Sequence, residues 1–165
     1  MIIAITGASG VGKTSIMKAL SETLSEDNGL KFFYFDDMEM PNWDEVADTK
    51  KWQENATNDW IDQLVEIARR EKVNIIFEGS TEIKFYIQAF ERNSFSDYKL
   101  FLFDCSPTTM KQRLSKRGQP ELYSENMLGW LNYLRREAEV RDIEIIKTDE
   151  LSIAEVGQKV SALLY

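Results

Sequence analysis

Gly7, Gly12, Lys13 and Thr14 meet the spacing G-x-x-x-x-G-K-[ST]. Glycines there permit backbone torsions that turn successive N–H groups toward one anion, the lysine adds a mobile positive charge, and the hydroxyl supplies a hard oxygen for a divalent cation. The chemistry implied is a phosphate cradle. Gly7, Ala8, Ser9, Gly10, Val11, Gly12, Lys13, Thr14 and Ser15 wrap the phosphates of ATP or GTP, Lys13 reaches the β- and γ-phosphates, and Thr14 ligates Mg²⁺. The motif falls between the apolar run Ile2 to Ile5 and a run in which Ile16, Leu20 and Leu24 recur at every fourth position. That is the strand-then-helix context the loop requires, and the helix adds its positive end.

Two further apolar runs end in acids: Phe35-Asp36-Asp37 and Phe77-Glu78-Gly79. In a sheet with helices on both faces, ligands collect beyond the carboxyl ends of the strands, so these acids are the candidates to face the phosphates. Transfer of a phosphoryl group to a hydroxyl needs the acceptor proton removed or hydrogen-bonded. Asp36 is the first choice for that task. Asp37 is either the alternative base or a solvated neighbour. Glu78 holds the metal's water or the acceptor hydroxyl, and Gly79 keeps the backbone close to the ligand. Arg113 and Arg117, four residues apart on one helix face, form a fork for triphosphate oxygens or stack on the base. Arg135, Arg136 and Arg141 either reach back over the site or form a solvated face with Glu137 and Glu139. Trp43, Trp52, Trp60, Trp130, Phe85 and Tyr86 line an acceptor pocket or belong to the core.

The elements that must position these residues read as five short β-rich runs: Ile2 to Ile5, Lys31 to Phe35, Val73 to Phe77, Lys99 to Phe103 and Ile143 to Ile146. Their near-continuous hydrophobicity suits strands buried on both faces. Trp52, Ala56, Trp60, Leu64 and Ala68 mark a long helix before the third run; Met110 and Leu114 follow the fourth, and Met127, Leu131, Leu134 and Ala138 mark another helix. The last helix opens at the capping-box sequence Ser152-Ile153-Ala154-Glu155 and is expected to bury Ile153, Val156, Val160 and Leu163. Right-handed crossovers then give an α/β fold, a three-layer α/β/α sandwich with a five-stranded parallel sheet, in a single domain over residues 1–165. Residues 36–60 are the expected acceptor-binding segment and 118–126, with Gln119 to Tyr123, the expected short lid.

The chain contains no histidine, which removes Ser-His-Asp triads, Cys-His pairs and HExxH zinc sites together. Twenty Lys and Arg against 28 Asp and Glu give a formal charge of −8, which repels nucleic acid and anionic membranes. Neither is expected as a partner. Cys105 stands alone, expected as a buried strand-end residue, so no internal disulfide or cysteine zinc site is available. Met1 to Thr6 lacks the basic start and cleavage site of a signal peptide, and the expected location is cytoplasmic.

These features resemble the nucleoside and nucleoside-monophosphate kinase group of P-loop proteins, which includes uridine, shikimate and gluconate kinases. The carriers are Gly7 to Thr14, Asp36, Glu78-Gly79, and Arg113 with Arg117 before a short segment. Ile145-Ile146-Lys147-Thr148-Asp149 is similar to the last strand and adenine-side loop of that group, which implies that Thr148 and Asp149 border the nucleotide. Phe35-Asp36, Trp52-Gln53 and Glu78-Gly79 also resemble a set of bacterial P-loop proteins labelled only as kinase-like. The resemblance implies a P-loop kinase fold, a nucleoside triphosphate donor, Mg²⁺ and a small-molecule acceptor. One departure bears on that acceptor. Monophosphate kinases hold the acceptor phosphate with arginines after strands two and three, whereas here the first segment carries Asp36, Asp37, Glu39, Asp44, Glu45 and Asp48. Gly79-Ser80-Thr81-Glu82 also lacks an arginine, with Lys84 and Arg92 the cations left to compensate. A nucleoside, sugar or amino-sugar hydroxyl is thus expected over a nucleotide. The rivals are a nucleoside-monophosphate kinase and an ATP-hydrolysing or ATP-binding regulatory protein.

Overall fold

A computed structural model describes residues 1–24 and 29–164, with only the backbone described at Trp43. The strands are β1 (Ile2–Thr6), β2 (Leu30–Tyr34), β3 (Asn74–Glu78), β4 (Tyr98–Asp104) and β5 (Glu144–Lys147). They form one sheet in the order β2-β3-β1-β4-β5, with every pairing parallel. Each falls within about two residues of an apolar run in the sequence, the end-of-element uncertainty expected of such readings. The central strand is apolar from Ile2 to Ile5 because both of its faces are covered: Ile3 and Ile5 point into one core cluster, Ile2 and Ala4 into the other.

The helices are α1 (Lys13–Thr23), α2 (Thr49–Glu71), α3 (Ile83–Arg92), α4 (Pro107–Lys116), α5 (Glu125–Val140) and α6 (Ile153–Ser161). One core cluster joins the sheet to Ile16, Met17 and Leu20 of α1, Met110 and Leu114 of α4, and Val156 and Val160 of α6. The other joins it to α2 through Ile61, Leu64 and Val65, to α3 through Ile83, Tyr86 and Phe90, and to α5 through Leu134 and Ala138. Each fully buried Ile, Leu or Phe contributes about 1.5–3 kcal/mol relative to exposure, so the two clusters set the three layers. Sequence periodicity named no helix between the third and fourth strands, yet α3 fills that crossover. Its buried Ile83, Tyr86, Ala89 and Phe90 recur at helical spacing opposite the polar Lys84, Gln88, Glu91 and Arg92, so the period is present in the sequence, in a run of only ten residues.

Local chemistry sets the helix ends. Asp48 caps α2 by accepting from Lys51 N at 2.9 Å, and Ser152 and Glu155 form the capping box expected at α6. The expectation that α6 buries Ile153 is corrected: the first-turn side chain is 49% exposed, because the helix starts at the sheet's carboxyl edge and turns that residue toward a cavity. Leu163 is half-buried, and Leu164 takes the inward position. No helix among the described residues is long and apolar enough to cross a membrane.

Parallel pairing brings all strand ends to one side. Ile5 lies beside Glu78, Tyr34 beside Glu78, and Asp104 beside Lys147. The chain fills β2 and β3 on one side of β1, then crosses to β4 and β5 on the other. The crevice beyond β1 is therefore where such a sheet binds ligands.

Candidate functional site

That crevice is a cavity of about 530 Å³, and the loop following β1 forms its floor. Its walls include Ser9, Gly10, Gly12, Lys13, Thr14 and Ser15 from the loop, Asp36, Glu78, Gly79 and Ser80 from the ends of β2 and β3, and Arg113, Lys116, Arg117 and Thr148 on the far side. Ala8 and Val11 face the other way and are fully buried, which pins the loop to the core. Glycine is required by geometry at Gly10 and Gly12, as it is at Gly7, where a Cβ would lie 2.5 Å from Phe103 O. Gly12 caps α1 with φ +99°, and a Cβ there would lie 3.2 Å from Arg113 Nη1; Gly10 has φ +85°, and a Cβ would lie 2.9 Å from Leu114 Cγ.

Lys13 opens α1 and is 8% exposed. Its ammonium donates to the carbonyls of Gly7 at 2.8 Å and Ala8 at 3.2 Å, folding back along its own loop. Burial lowers its pKa, Glu78 and Asp36 oppose that shift, and Arg117 adds to it. Lys13, Glu78, Asp36 and Arg117 thus share one electrostatic neighbourhood, the grouping expected from residues far apart in sequence. Ser80 Oγ donates to the Gly7 carbonyl at 3.0 Å, tying the β3 end to the loop.

Glu78 is 6% exposed, and its Oε2 has no hydrogen-bond partner. Burial pushes its carboxyl above the usual range; Lys13 opposes this, and Asp36 and Asp37 reinforce it. Leaving such an oxygen unmet costs about 1–3 kcal/mol, a cost that proteins tolerate where a ligand group or water satisfies it. The exposed Asp36 side chain lines the cavity from the turn Phe35–Asp37, whereas Asp37 is not among the lining residues. The two candidates left open by sequence are therefore separated by position.

The arginine fork divides. Arg113 Nη1 donates to Val11 O at 2.9 Å and to Thr148 Oγ1 at 2.8 Å, and Nη2 donates to Thr148 O at 2.9 Å. Three of a guanidinium's five N–H donors are thereby committed to backbone and Thr148. Arg113 braces the phosphate loop against the loop after β5. Arg117, at the end of α4, is exposed and lines the same cavity, and its side chain has no ion pair or hydrogen bond among the described residues. Thr148 is buried, its hydroxyl donating to Val11 O, while Asp149 accepts from Ser106 N at 2.8 Å and lies off the cavity wall.

Other candidates fall elsewhere. Lys84 pairs with Glu82 at 3.0 Å, and that buried acid also takes Lys50 at 3.3 Å and the Tyr133 hydroxyl at 2.6 Å. Lys84 is absent from the cavity wall, and its partner Glu82 is the buried N-cap residue of α3. Arg92 pairs with Asp62 on α2. Arg135 neither reaches the cavity nor pairs with Glu137 and Glu139; it grips the buried Asp104 bidentately at 2.9 Å, with Lys147 completing the group. Arg141 does pair with Glu137, at 3.0 Å. Trp52 and Trp60 pack on Phe35 and Phe77, Phe85 and Tyr86 are core, and Trp130 stacks on Tyr133. The side chain of Trp43 lies outside the described residues.

Sequence reasoning missed Lys116, Ser80, Leu151 and Ile153 as lining residues and Asp104 as a strand-end acid. Asp104 follows the same rule that found Asp36 and Glu78, since it ends the apolar run of β4. Lys116 stands beside Arg117. Leu151 and Ile153 carried no signal, because apolar residues near a capped helix read as core.

The sheet order, the loop after β1 and the helix that opens on Lys13 define a P-loop nucleotide-binding fold. Residues 3–146 match the AAA domain family, and the chain belongs to it. No curated protein matches the chain. Among solved structures it is similar to an unliganded sugar kinase from a Janibacter species, at 19% identity over 99% of this chain and 93% of that one, with a TM-score of 0.71. A gluconokinase from Sinorhizobium meliloti is 18% identical over 98% of this chain and 90% of that one, with a TM-score of 0.68. The tunicamycin resistance protein of Deinococcus radiodurans is 22% identical over 98% and 93%, with a TM-score of 0.68. At these identities the likeness shows the fold.

Proposed function

We propose that this chain is an ATP- and Mg²⁺-dependent kinase acting on a hydroxyl of a small, non-phosphorylated molecule. The observation that carries the reading is the division of one cavity: cations Lys13, Lys116 and Arg117 gather around the phosphate loop, and the carboxylates Asp36 and Glu78 face them. Phosphoryl transfer needs little covalent help, so catalysis by such a site is positioning and charge stabilisation. Lys13 leaves the Gly7 and Ala8 carbonyls for the β- and γ-phosphates. Arg117, unpaired at the end of α4, comes over the transferring group. Arg113 and Thr148 hold the loop's shape, and the base lies along Leu151 and Ile153. Asp36 orients the acceptor hydroxyl and receives its proton.

The donor set fits Mg²⁺. The Thr14 hydroxyl is a hard oxygen in the cavity wall, and a Mg²⁺ held there draws its other ligands from phosphates and from waters, one of which the Glu78 carboxylate can hold through the oxygen other than Oε2. The ion would neutralise charge building on the phosphates. Residues 36–60 then form the acceptor segment and 118–126 the lid of a single domain.

A phosphorylated acceptor fits poorly. Among the described residues the acceptor-side wall has no cation beyond Lys13, and Lys84 and Arg92 are committed to Glu82 and Asp62. The test is a screen of nucleosides, sugars and amino sugars for stimulated ADP release, repeated with Asp36→Asn. The expected result is an acceptor whose transfer falls at least about 100-fold in the variant, with ATP affinity changed less than about threefold. Turnover that no hydroxyl compound raises above the water rate overturns the reading, as does phosphorylation confined to nucleoside monophosphates.

A further inference from the structure

The acceptor side of the cavity holds more negative charge than orienting a hydroxyl requires. One carboxylate suffices for that task. Here Asp36 and Glu78 both line the wall, and Asp37 acts on Glu78 through space. None of the three has an ion pair among the described residues. The ammonium of Lys13 donates to Gly7 and Ala8 carbonyls instead of either carboxylate. Lys50 and Lys84 are taken by Glu82, Arg92 by Asp62, and Arg113 by Val11 and Thr148. Independently of the acidic cluster, Glu78 is 6% exposed and unpartnered at Oε2, a buried group in the cavity wall whose hydrogen bonding is incomplete. A Mg²⁺–triphosphate complex engages the cations of the loop side, Lys13, Lys116 and Arg117, and leaves the acceptor-side carboxylates without a counter-charge of their own. A neutral polyol could bond to these oxygens but would leave their charge uncompensated in a half-enclosed site.

We propose that the acceptor is an amino alcohol, a sugar or cyclitol carrying a protonated amine beside the hydroxyl that is phosphorylated. This rests on the kinase reading above and narrows its acceptor. The hydroxyl sits on Asp36 and the ammonium lies between Asp36 and Glu78, under the field of Asp37. An ammonium brings three donors, enough to serve both carboxylates at once. In the transfer, the acceptor oxygen forms a new bond to the γ-phosphorus as the bond to the β–γ bridging oxygen breaks. The hydroxyl proton passes to Asp36, ADP leaves, and the ammonium remains unchanged.

The experiment is calorimetric titration of the full chain, saturated with Mg²⁺ and a non-hydrolysable ATP analogue, at a pH where the amines are protonated. The probes are matched pairs: glucosamine against glucose, and streptamine against scyllo-inositol. In at least one pair the amino member is expected to bind about tenfold tighter or more. Asp36→Asn and Glu78→Gln, which keep size and lose charge, are each expected to cut that preference to less than about threefold. Equal or weaker binding of the amino members, or no binding by any probe, overturns the proposal. So does a preference that survives both substitutions. ADP release with ATP separates the two claims: neutral hydroxyl compounds that stimulate it without an amine preference sink this inference and leave the kinase reading standing. A charge-dependent amine preference without ADP release supports the site assignment and sinks the kinase reading.

Discussion

Gly79 lies where the cavity wall meets the core, and substituting alanine there tests how tightly the two are joined. An added Cβ would lie 2.7 Å from Tyr86 Oη and 3.0 Å from Phe35 Cβ, both too close for packed atoms. Tyr86 is fully buried with its ring edge-on to Phe77, and Phe35 is 5% exposed and held by Trp52 and Phe77. Neither neighbour is a flexible tip, so overpacking is expected to cost about 1–3 kcal/mol. Alanine also restricts the unfolded chain, which returns about 0.4–1 kcal/mol. The net expectation for Gly79→Ala is a loss of about 1–2 kcal/mol. Tyr86→Phe deletes the atom at 2.7 Å, and because that buried hydroxyl lacks a hydrogen bond of good geometry, with the Thr6 hydroxyl its one close polar neighbour among the described residues, the single change should stay within about 1 kcal/mol of neutral. In the double variant only the Phe35 contact remains. Tyr86→Phe should then recover about 1 kcal/mol more in the Gly79→Ala background than it yields alone. Urea denaturation of the four proteins, with a shared slope, measures the cycle. Additivity within about 0.5 kcal/mol would refute the reasoning, and so would a Tyr86→Phe variant that loses more than about 1 kcal/mol.

Arg113 and Arg117 should respond oppositely. Arg113→Lys dismantles the fork onto Val11 and Thr148 and is expected to lower stability by about 1–3 kcal/mol and raise KM for ATP. Arg117→Ala should leave stability within about 0.5 kcal/mol and lower kcat about tenfold or more; the reverse pattern in melting and steady-state assays would return the phosphate role to Arg113. Glu78→Gln carries a pH signature. Burial raises the Glu78 carboxyl on folding, so the folded chain binds the proton better and wild-type stability falls as pH rises from the unfolded toward the folded pKa. The variant should be more stable than the parent above that window and equal to it below, read as Tm against pH. A pH-independent difference would rule out burial of the charge as the cause.

The fold was legible because a doubly covered parallel sheet writes itself as isolated apolar runs, and the phosphate loop because its spacing and its strand–helix context agree. Asp36 was legible as a strand-end acid, though only the turn at Phe35–Asp37 separates it from Asp37. What sequence could not supply was partnership. Arg113 and Arg117 are the same residue type on one helix face, yet Val11 lies 102 positions from Arg113 and Thr148 lies 35 away. No local pattern records such bonds. Arg135 followed the same logic: its neighbours Glu137 and Glu139 suggested a solvated face, and its actual partner, Asp104, is contributed by another strand. A buried carboxylate that lacks a cation costs several kcal/mol, so the sheet's own acid selected the arginine.

These two arginines bear on the proposed lid from opposite ends. Residues 118–126 leave α4 one turn after Arg113 and enter α5, which carries Arg135 in its third turn. Arg113 is tied to the phosphate loop and Arg135 to the end of β4, so neither helix can swing as a rigid arm without breaking charged hydrogen bonds worth about 1.5–3 kcal/mol each. Any motion of the proposed lid would therefore fall in the stretch between them, where Gly118 has φ +76° and nothing within 4 Å of an added Cβ. Arg117 sits at the near end of that stretch. In the proposed reading its guanidinium, which has no ion pair or hydrogen bond among the described residues, would move with that stretch while Arg113 stays with the phosphate loop, a mobile charge beside a brace.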